Sequence, residues 1–533
     1  MRLDTMGRRG VTAGAAVLVL LAACTGGAGE PGPEPSGEAS TPAPVDTSAV
    51  AATTTLHLAG AEVAVDVLPI VRVGEHVVLT MDLAMEDTGG DDAFLSSVFS
   101  GVPVLTLPAL SGLRLLDLDR DVVHTVAQDA DGRAVTTGQD FIALGPGTTM
   151  RLQTAYAAPP EDVTSLGVFV PGGPYLPGVA VVDGEVPSPE LPASAPTDAD
   201  GDPAASPAPV EEVEPLDLDT VAEAPVLGLE SFTAELAGAV QTLTTTDEVQ
   251  VTLGSDVLFA VDSADLTEVA QAALDAAANH LASREPGTVS VVGHTDDVAS
   301  DAYNQDLSLR RAQAVAAALA ERIDTTAFTL EVEGRGESEP LVPGTDEASR
   351  AANRRVALTL TSQTTRTVEV TTDGELPPFD KGPVGTGAEG VLVEDLGTYR
   401  IRAPQARRVD GHVVLDLEIS PVDEGAEDGV AFLAGVWHYR GDAYSVQRSA
   451  SGVVMLRGST AVYPMDYLDA VSADGHEQWL PATDLETDGT LAPGATRTFS
   501  IIYPDVGELD EIAVQVGGGL GQRAFRLTDI PVR

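Results

Sequence analysis

Basic residues, cysteine and long apolar runs are all scarce in this chain of 533 residues. Its 29 lysine and arginine residues are outnumbered by 82 aspartate and glutamate residues, so the formal net charge is −53. Such a surface repels a polyanion, which excludes a nucleic-acid binder that works through phosphate contacts. The single cysteine excludes an intramolecular disulfide and a multi-cysteine zinc site. Each domain must therefore be held together by its own core.

The N-terminus has the pattern of an exported lipoprotein. Arg8 and Arg9 precede an apolar run at residues 11–23, which is shorter than a typical membrane-spanning helix. Leu21-Ala22-Ala23-Cys24 ends this run and resembles the lipobox of bacterial lipoproteins, in which the cysteine is lipidated and becomes the first mature residue. We therefore expect a signal peptide at residues 1–24 and lipidation of Cys24. No later run reaches 18 apolar residues, so the lipid is the only membrane attachment that the sequence predicts.

Two tracts rich in proline, glycine and acidic residues divide the rest of the chain. They lie at residues 25–52 and 184–228, and their composition cannot bury enough apolar surface to offset chain entropy. We expect the first to be a flexible tether and the second an extended linker. Three domains remain, at residues 53–183, 229–362 and 367–533.

The two outer domains have the alternation of apolar and polar residues that is typical of β-strands. Short alternating runs such as residues 62–67 and 76–81, separated by Gly, Asp and Pro clusters, predict a β-sandwich (Ig-like) domain at 53–183. Residues 367–533 show the same short alternating runs and turn clusters, which predicts a second β-sandwich domain related to the first. Two patterns recur in order: Arg72–Leu79 as Arg408–Leu415, and Leu144–Gly147 with Tyr156 as Leu491–Gly494 with Tyr503.

The central domain interleaves helical and strand periodicities. Apolar residues at steps of three or four predict helices at residues 229–243, 267–284 and 308–323, the first as a lead-in and the second with Val269 facing inward. Alternation predicts strands near residues 249–253, 288–293, 328–332 and 356–360. Together these elements predict an α+β sandwich, a mixed sheet with helices on one face.

Four motifs of this central domain resemble those of the OmpA-like C-terminal domain family, which includes Pal and the periplasmic part of MotB. The most specific is the run from Gly293 to Ala312, which contains Gly293-His294-Thr295-Asp296 and Leu309-Arg310-Arg311-Ala312. The others are Phe259–Leu266, Gly334–Pro340 and Asn353–Val356, in the family's order. Ala299 departs from the pattern, because many members have glycine there.

The resemblance implies non-covalent binding of peptidoglycan through the diamino acid of an uncrosslinked stem peptide, usually meso-diaminopimelate. Asp296 matches the family's acid, which accepts the ligand's ammonium, and Arg311 matches its arginine, which binds the carboxylate through two parallel N–H bonds. The periodicity places Arg311 in the first turn of a helix, where the helix dipole would also favour an anion. Supporting contacts are expected from Thr295, Asn304, Leu307 and Arg355. The alternative is an internal ion pair between Asp296 and Arg311 without a ligand.

We therefore expect a non-enzymatic lipoprotein that tethers a membrane to the cell wall, with no cofactor and no bound metal. It would lie at the outer face of the cytoplasmic membrane or, in a double-membrane envelope, at the outer membrane. His76 and His412 occupy matching places, but no second ligand accompanies either, so each is interpreted as a residue that caps a strand. Two alternatives stay open.

The first alternative is a surface adhesion or signalling receptor that binds a protein partner through its β-sandwiches. The second is a cell-wall hydrolase, which would need paired carboxylates, a Cys/His couple or a zinc site. The sequence gives less support to a hydrolase, because the only cysteine is the expected lipidation site and the eight histidines are scattered along the sequence.

Overall fold

The computed structural model describes most of the chain beyond residue 45. The described ranges are 46–58, 61–87, 92–99, 110–137, 143–190, 215–235, 240–244, 248–282, 286–361, 376–395, 397–423, 430–435, 449–471, 475, 477–485, 495–517 and 523–533. The predicted signal peptide, Cys24, most of the first tether and the predicted repeat at residues 491–494 lie outside these ranges. No helix within them is long and apolar enough to cross a membrane.

The first β region, residues 46–190, contains eleven strands and one short helix among its described residues. They are β1 (Ala52–Leu58), β2 (Ala61–Val67), β3 (Ile70–Val73), β4 (His76–Met85), β5 (Ala93–Phe94), α1 (Leu95–Phe99), β6 (Arg114–Asp117), β7 (Val122–His124), β8 (Ala143–Leu144), β9 (Thr149–Ala157), β10 (Ser165–Phe169) and β11 (Leu176–Asp183). The alternation has the expected effect, because Val63, Val65 and Val67 are fully buried while Glu62 and Ala64 between them are exposed.

The central region, residues 229–361, is a mixed sheet with helices. Strand β12 (Val226–Gly228) precedes it and belongs to the sheet of the first β region. The elements of the central region are β13 (Ser231–Glu235), β14 (Val240–Thr244), β15 (Glu248–Gly254), α2 (Ser255–Leu258), α3 (Ala270–Ala282), β16 (Thr288–His294), α4 (Asp301–Ala320), β17 (Thr329–Gly336), α5 (Glu347–Asn353) and β18 (Arg355–Thr361). Strand β16 runs parallel to β17 and antiparallel to β18. Alternate residues of β15, β16 and β18 share one core cluster with α3 and α4, as the sequence predicts.

The C-terminal β region, residues 376–533, contains the remaining described strands. They are β19 (Val384–Thr386), β20 (Val391–Glu394), β21 (Thr398–Arg402), β22 (Ala406–Val409), β23 (His412–Pro421), β24 (Val453–Arg457), β25 (Thr460–Val462), β26 (Asp466–Val471), β27 (Glu477–Pro481), β28 (Arg497–Tyr503), β29 (Glu511–Gly517) and β30 (Ala524–Pro531). One core cluster takes side chains from the sheet of β20, β21, β23 and β28 and from β24, β29 and β30.

The predicted lead-in helix at residues 229–243 is wrong, because this segment forms a β-hairpin. Strands β13 and β14 pair antiparallel, with Phe232 opposite Leu243. Three threonines lie in the described part of these two strands and favour extended backbone. The hairpin also gains pairing partners on both sides, β15 on one and β25 on the other. This pairing outweighs a chance helical spacing of apolar residues.

Two predicted helix starts also differ from the structure. Helix α3 begins at Ala270, and Val269, predicted to face inward, is 67% exposed. Helix α4 begins at Asp301, seven residues before its predicted start at Ser308. Its first two turns bury Asn304, a polar residue that a search for apolar periodicity does not register. Arg311 therefore lies in the third turn, and the predicted help from the helix dipole does not apply to it.

The predicted linker at residues 184–228 packs on the first β region at both of its described ends. On the near side, Arg151 donates to the carbonyl of Ser188 and Gln153 to that of Pro187. On the far side, residues 216–224 join a small apolar cluster, and β12 pairs with β7. The described ends of this tract therefore lie against the first β region instead of extending away from it.

The sheet of the central region continues into the C-terminal β region. An eleven-stranded sheet runs in the order β17-β16-β18-β15-β14-β13-β25-β24-β29-β30-β19. The junction is the antiparallel pair of β13 and β25, with Thr233 opposite Val462. The central region is thus attached to its neighbour by backbone hydrogen bonds as well as by the chain.

A buried interface joins the first and the C-terminal β regions. Its apolar cluster takes Leu116, Phe169 and Tyr175 from one side and Val414, Tyr467 and Ile502 from the other. Across it, Arg114 donates from Nη1 to the carbonyl of Pro481 (2.7 Å) and from Nη2 to that of Thr483 (2.5 Å). The Nε2 atom of His412 lies 2.8 Å from Oδ1 of Asp121.

The two hairpins with recurring sequence pair in the same register. In the first β region β3 and β4 form a hairpin, and Val77 of β4 lies opposite Tyr156 of β9. In the C-terminal β region β22 and β23 form a hairpin, and Val413 of β23 lies opposite Tyr503 of β28. The Tyr156 hydroxyl donates to the carbonyl of the residue just before β6, and the Tyr503 hydroxyl donates to that of the first residue of β24. The sequence repeat thus corresponds to equivalent strand positions.

Candidate functional site

The end of β16 and the first three turns of α4 place the predicted ligand-binding residues next to each other. Thr295 and Asp296 follow β16 directly, while Arg311 lies on α4. Two glycines allow the helix to pack against the strands here. A Cβ atom on Gly293 would collide with the carbonyl oxygen of Ser308, and one on Gly334 would lie 2.5 Å from a backbone nitrogen of α4.

A cavity of about 910 Å³ opens at this point. Four segments line it: the turn at 256–262, the loop at 295–300, one face of α4, and α5 with the residue that follows it. Asp296 and Arg311 both line this one cavity, as the resemblance to the family implies. Thr295, Asn304 and Leu307 line it as well.

Arg311 is held firmly although its side chain is charged. It is 5% exposed, its Nε donates to the carbonyl of Ser263 (3.0 Å), and its guanidinium lies 5.2 Å from the centre of the Phe259 ring. Burial lowers the pKa of Arg311 from its ordinary value, although an arginine stays charged at neutral pH. Among the described residues, Nε is its only nitrogen with a hydrogen-bond partner, so both Nη atoms are available for a carboxylate.

Asp296 is oriented by groups other than Arg311. Its Oδ2 accepts from Nη1 of Arg354 (2.8 Å), and its Oδ1 accepts from the backbone nitrogen of Val298 (3.2 Å). The carboxylate is 14% exposed. The described residues therefore contain no internal ion pair between Asp296 and Arg311, which was the alternative that the sequence left open.

Arg354 links three parts of the cavity wall, and sequence reasoning did not select it. Its guanidinium binds both carboxylate oxygens of Asp256 (2.8 and 2.7 Å) and also contacts Asp296 and Glu347, each at 2.8 Å. The hydrogen bonds with Asp256 are the main cause that raises the pKa of Arg354 above its ordinary value. Arg354 thus fixes the acid that faces the cavity.

Arg355, which the resemblance placed among the supporting contacts, is not among the residues that line the cavity. Its guanidinium donates to the carbonyls of Asn353 and Glu339, and its side chain is 9% exposed. The alternation of inward and outward side chains along β18 is the sequence signal that distinguishes Arg354 from Arg355. Val356 and Leu358 point into the core, so residue 354 shares their parity and Arg355 has the opposite one.

Comparison with known proteins identifies this part of the chain. Residues 258–354 match the OmpA family. They form an OmpA-family domain. Outer membrane protein A of Escherichia fergusonii is 45% identical over 96 residues, which cover 18% of this chain and 39% of that protein. Outer membrane protein A of Citrobacter freundii is 38% identical over 125 residues, which cover 23% and 51%. The chain thus spans less than two thirds of the length of these relatives.

Solved structures also resemble the OmpA-family domain. The cell wall anchor of the T6SS from Pseudomonas aeruginosa is 36% identical, with a TM-score of 0.22, and the match covers 24% of this chain and 90% of that one. The peptidoglycan-associated lipoprotein from Burkholderia pseudomallei is 34% identical, with a TM-score of 0.17, over 19% and 86%. The match of residues 258–354 to the OmpA family confirms the sequence-based recognition of the family.

The departure at Ala299 in the OmpA-family domain has a structural cost. Ala299 has a φ of +97°. This backbone region favours glycine, because glycine has no Cβ atom. It lies in the loop between Asp296 and α4 and lines the cavity. The chain therefore keeps at this position the backbone that glycine would adopt, at a cost of roughly 1–3 kcal/mol.

The burial of His294 in the OmpA-family domain predicts that the stability of the protein depends on pH. It is 4% exposed, and burial, with Arg355 and Arg335 nearby, lowers the pKa of His294 to about 4. An unfolded histidine binds a proton near pH 6.5, so stability is lost as pH falls through this value towards 4, by about 2 kcal/mol at pH 5. We expect the urea midpoint to fall less between pH 7 and pH 5 in His294→Asn than in the wild type. Equal falls in both proteins would contradict this assignment.

Proposed function

We propose that this protein is a non-enzymatic envelope lipoprotein that binds peptidoglycan non-covalently and so tethers a membrane to the cell wall. The observation that carries the proposal is the cavity in which Asp296 and the two available Nη atoms of Arg311 face one space. Two similar proteins bear names of this kind, a cell wall anchor and a peptidoglycan-associated lipoprotein.

The chemistry of the cavity suits the end of a diamino acid. Such an end presents an ammonium beside a carboxylate, so recognition needs one acid and one base at a fixed separation. Asp296 is fixed by Arg354 and by a backbone amide, and Arg311 by Ser263 and Phe259. Because both are largely buried, little side-chain entropy remains to be lost when the ligand binds. Thr295, Asn304 and Leu307 would support the ligand.

The other parts of the chain have proposed roles as well. Lipid on Cys24 would anchor the protein, on the outer face of the cytoplasmic membrane or on an outer membrane, with residues 25–52 as the tether. We interpret the two outer regions as related β-sandwich (Ig-like) domains that arose by duplication, which the matching registers of their hairpins support. Their faces would serve for spacing or for contact with a protein partner.

Sedimentation with isolated cell walls tests the proposal. The full-length protein should be used, because the sheet of the OmpA-family domain continues into the C-terminal β region. We expect it to pellet with walls and to be released by free meso-diaminopimelate at millimolar concentration, but not by the same concentration of glutamate. A protein that stays in the supernatant, or one that diaminopimelate does not release, would contradict the proposed ligand. A cleared zone in a cell-wall gel would instead indicate a hydrolase.

A further inference from the structure

The backbone of each β region contains the same closed triangle of hydrogen bonds, in which the N–H group of each residue donates to the carbonyl of the next. In the first β region the three residues are, in order, Ala127, Ala155 and Val135. In the C-terminal β region they are Met465, Ile502 and Ala482. The two triangles therefore occupy equivalent places in the two regions.

The segment that leads from the first β region into the central region passes both triangles in the same way. Glu223 exchanges two backbone hydrogen bonds with Gln128, next to the first triangle. Seven residues later, Glu230 exchanges two with Asp466, next to the C-terminal triangle. Because both triangles have the same backbone neighbour, the side chains that pack on them can be compared directly.

The two triangles differ in what packs on them. The C-terminal triangle belongs to the apolar cluster of the buried interface, in which Leu116 and Val123 of the first β region also lie. Among the described residues, the first triangle is packed instead by four residues of the segment 216–224, which are Leu216, Leu218, Val221 and Ala224. We call residues 216–224 the strap. The strap thus lies where, on the C-terminal β region, a whole β region packs.

The strap has the polarity of a cap. Its four apolar residues are half-buried against the first β region, while Asp217, Asp219 and Glu223 are exposed. Repeat arrays end in segments of this kind, which cover the last apolar surface and turn a polar side to water. A short segment with few buried contacts also belongs to the parts of a fold that open locally at low cost.

The surface that the first β region places on the C-terminal triangle has a counterpart in the C-terminal β region. Leu116 of β6 lies opposite Val123 of β7, and Leu456 of β24 lies opposite Ala461 of β25. The outer neighbours also correspond, because β6 pairs with β10 as β24 does with β29, and β7 pairs with β12 as β25 does with β13. Leu456 and Ala461 are therefore the counterparts of two residues that form the interface.

An aromatic ring packs against this counterpart surface. Tyr463 contacts the cluster of Leu456 and Ala461, and its ring lies 5.2 Å from that of Phe232. The equivalent residue of the first β region is Thr125. Its N–H group donates to the carbonyl seven residues before Phe232, just as the N–H group of Tyr463 donates to the carbonyl of Phe232. A small side chain thus stands beside the surface that docks, and a large ring beside its counterpart.

We propose that the surface of Ala127, Val135 and Ala155 is a docking face for the C-terminal β region of a second copy of this chain, and that the strap holds it closed. The contact would repeat between two molecules the interface that joins the two β regions within one. It is heterologous, so copies would add head to tail. The strap and Tyr463 each block one side of this contact. The inference goes beyond wall binding and does not depend on it.

Sedimentation velocity of mixed variants tests the inference. Leu218→Asp with Val221→Asp opens the strap, and Tyr463→Thr uncovers the counterpart surface. Both are made in the full-length protein with Cys24→Ser, which removes the expected lipidation site, and are studied at about 0.15 M salt to screen charge repulsion. We expect each variant alone to be a monomer. An equal mixture at about 50 µM should form a 1:1 complex, because interfaces of standard size bind at micromolar concentration or below.

The control for the strap variant is Thr220→Asp with Ala222→Asp. Both positions are exposed on the same strap, so this change adds the same charge without removing an apolar contact. Its mixture with Tyr463→Thr should remain monomeric. Cleavage at Glu223 by a glutamate-specific protease reports whether the strap opens, and it should be about tenfold faster in the strap variant than in the control.

Three outcomes would overturn the inference. The first is a mixture that stays monomeric although Glu223 is cut faster. The second is a strap variant that associates with itself, because the face would then pair with its own copy. The third is unchanged cleavage at Glu223, because these side chains would then not hold the strap. The urea midpoint shows that each variant is folded, and Tyr463→Val, which also removes the ring, replaces Tyr463→Thr if that variant is unstable.

Discussion

Changing Arg311 to glutamate should abolish sedimentation with cell walls and reduce the affinity for the diamino acid by more than a hundredfold. Arg311 is 5% exposed, and its Nη atoms are the groups assigned to the ligand's carboxylate. A carboxylate in its place would repel that group and would lie in the same cavity as Asp296. Removal of one member of a buried charge pair costs about 2–5 kcal/mol, which corresponds to between thirtyfold and several thousandfold.

Arg310→Glu is the matched control for this variant. Arg310 is the preceding residue, its side chain is 44% exposed, and it pairs with Asp306 one turn earlier on the helix surface. The change in net charge is the same, so we expect binding within about twofold of the wild type, because an exposed pair contributes little. Asp296→Asn should weaken binding about tenfold or more, since the ammonium loses its counter-charge. If both arginine variants lost binding equally, overall charge rather than the cavity would be the cause.

The core of the candidate site could be predicted because its members lie close together in one short run of sequence. Thr295, Asp296, Asn304, Leu307 and Arg311 all fall within residues 293–312, and all of them line the cavity. Their mutual orientation could not be predicted. It depends on Arg354, which lies more than forty residues further along the chain and holds Asp296 in place.

The start of α4 shows why apolar periodicity misplaces a helix at a binding site. The inward face of its first turns contains Asn304, whose amide donates to the carbonyl of Asp296, and Ser308, whose hydroxyl accepts from the backbone of Gly336. Both are buried and hydrogen-bonded, so they fill core positions without being apolar. The signal that was present is polar as well, since Ser300 and Asp301 have the residue types typical of a helix N-terminus.

Local sequence patterns predict the mixed sheet of the central region, but they do not predict its extension into the C-terminal β region. The strands near residues 251, 290 and 358 alternate visibly, and each is found close to its predicted place. The pairing of β13 with β25 joins residues that are more than two hundred positions apart, for example Thr233 and Val462. No local period indicates such a partner, because strand pairing depends on the edge that the rest of the fold leaves open.

The packing of the described ends of the predicted linker was missed for a related reason. Composition showed correctly that residues 184–228 are poor in apolar groups, but a few of them suffice for packing. Leu216 and Leu218 pack against the cluster that contains Ala127, and β12 adds three residues to the edge of β7. Composition averages over a segment, whereas docking needs only a few well-placed side chains and an unpaired strand edge.

Replacing Arg114 by leucine should destabilise the joint between the first and the C-terminal β regions by about 3 kcal/mol or more. Arg114 is 1% exposed and donates to the carbonyls of Pro481 and Thr483, and its guanidinium lies 4.2 Å from the centre of the Phe169 ring. A hydrogen bond from a charged donor contributes about 1.5–3 kcal/mol, and the buried carbonyls would lose their donors. Leucine can replace the packing of the side chain but none of its hydrogen bonds.

Asp484 should increase the loss of stability that follows from removing Arg114. It is fully buried, accepts from the backbone nitrogen of Gly172 across the same interface and from that of Ser500 within the C-terminal β region, and lies 3.9 Å from Arg497. Burial raises the pKa of Asp484 to about 6, and Arg497 and Arg114 both oppose this rise. Without Arg114 its pKa should rise further, so that the ionised form becomes more costly to bury.

The measurement is the urea midpoint of the full-length protein at pH 7, together with the rate of limited proteolysis. Arg133→Leu is the control, because Arg133 is 65% exposed and meets Asp131 only at 3.5 Å, so its loss should change stability by less than about 0.5 kcal/mol. The urea midpoint of Arg114→Lys should lie between those of Arg114→Leu and Arg133→Leu. The lysine ammonium keeps the charge but cannot donate to two carbonyls as the forked guanidinium does. If Arg114→Leu unfolded at the wild-type midpoint, the two β regions would not depend on this contact, and their interface would have to rest on the apolar cluster around Phe169 and Val414 and on its other hydrogen bonds, such as that of Gly172 with Asp484.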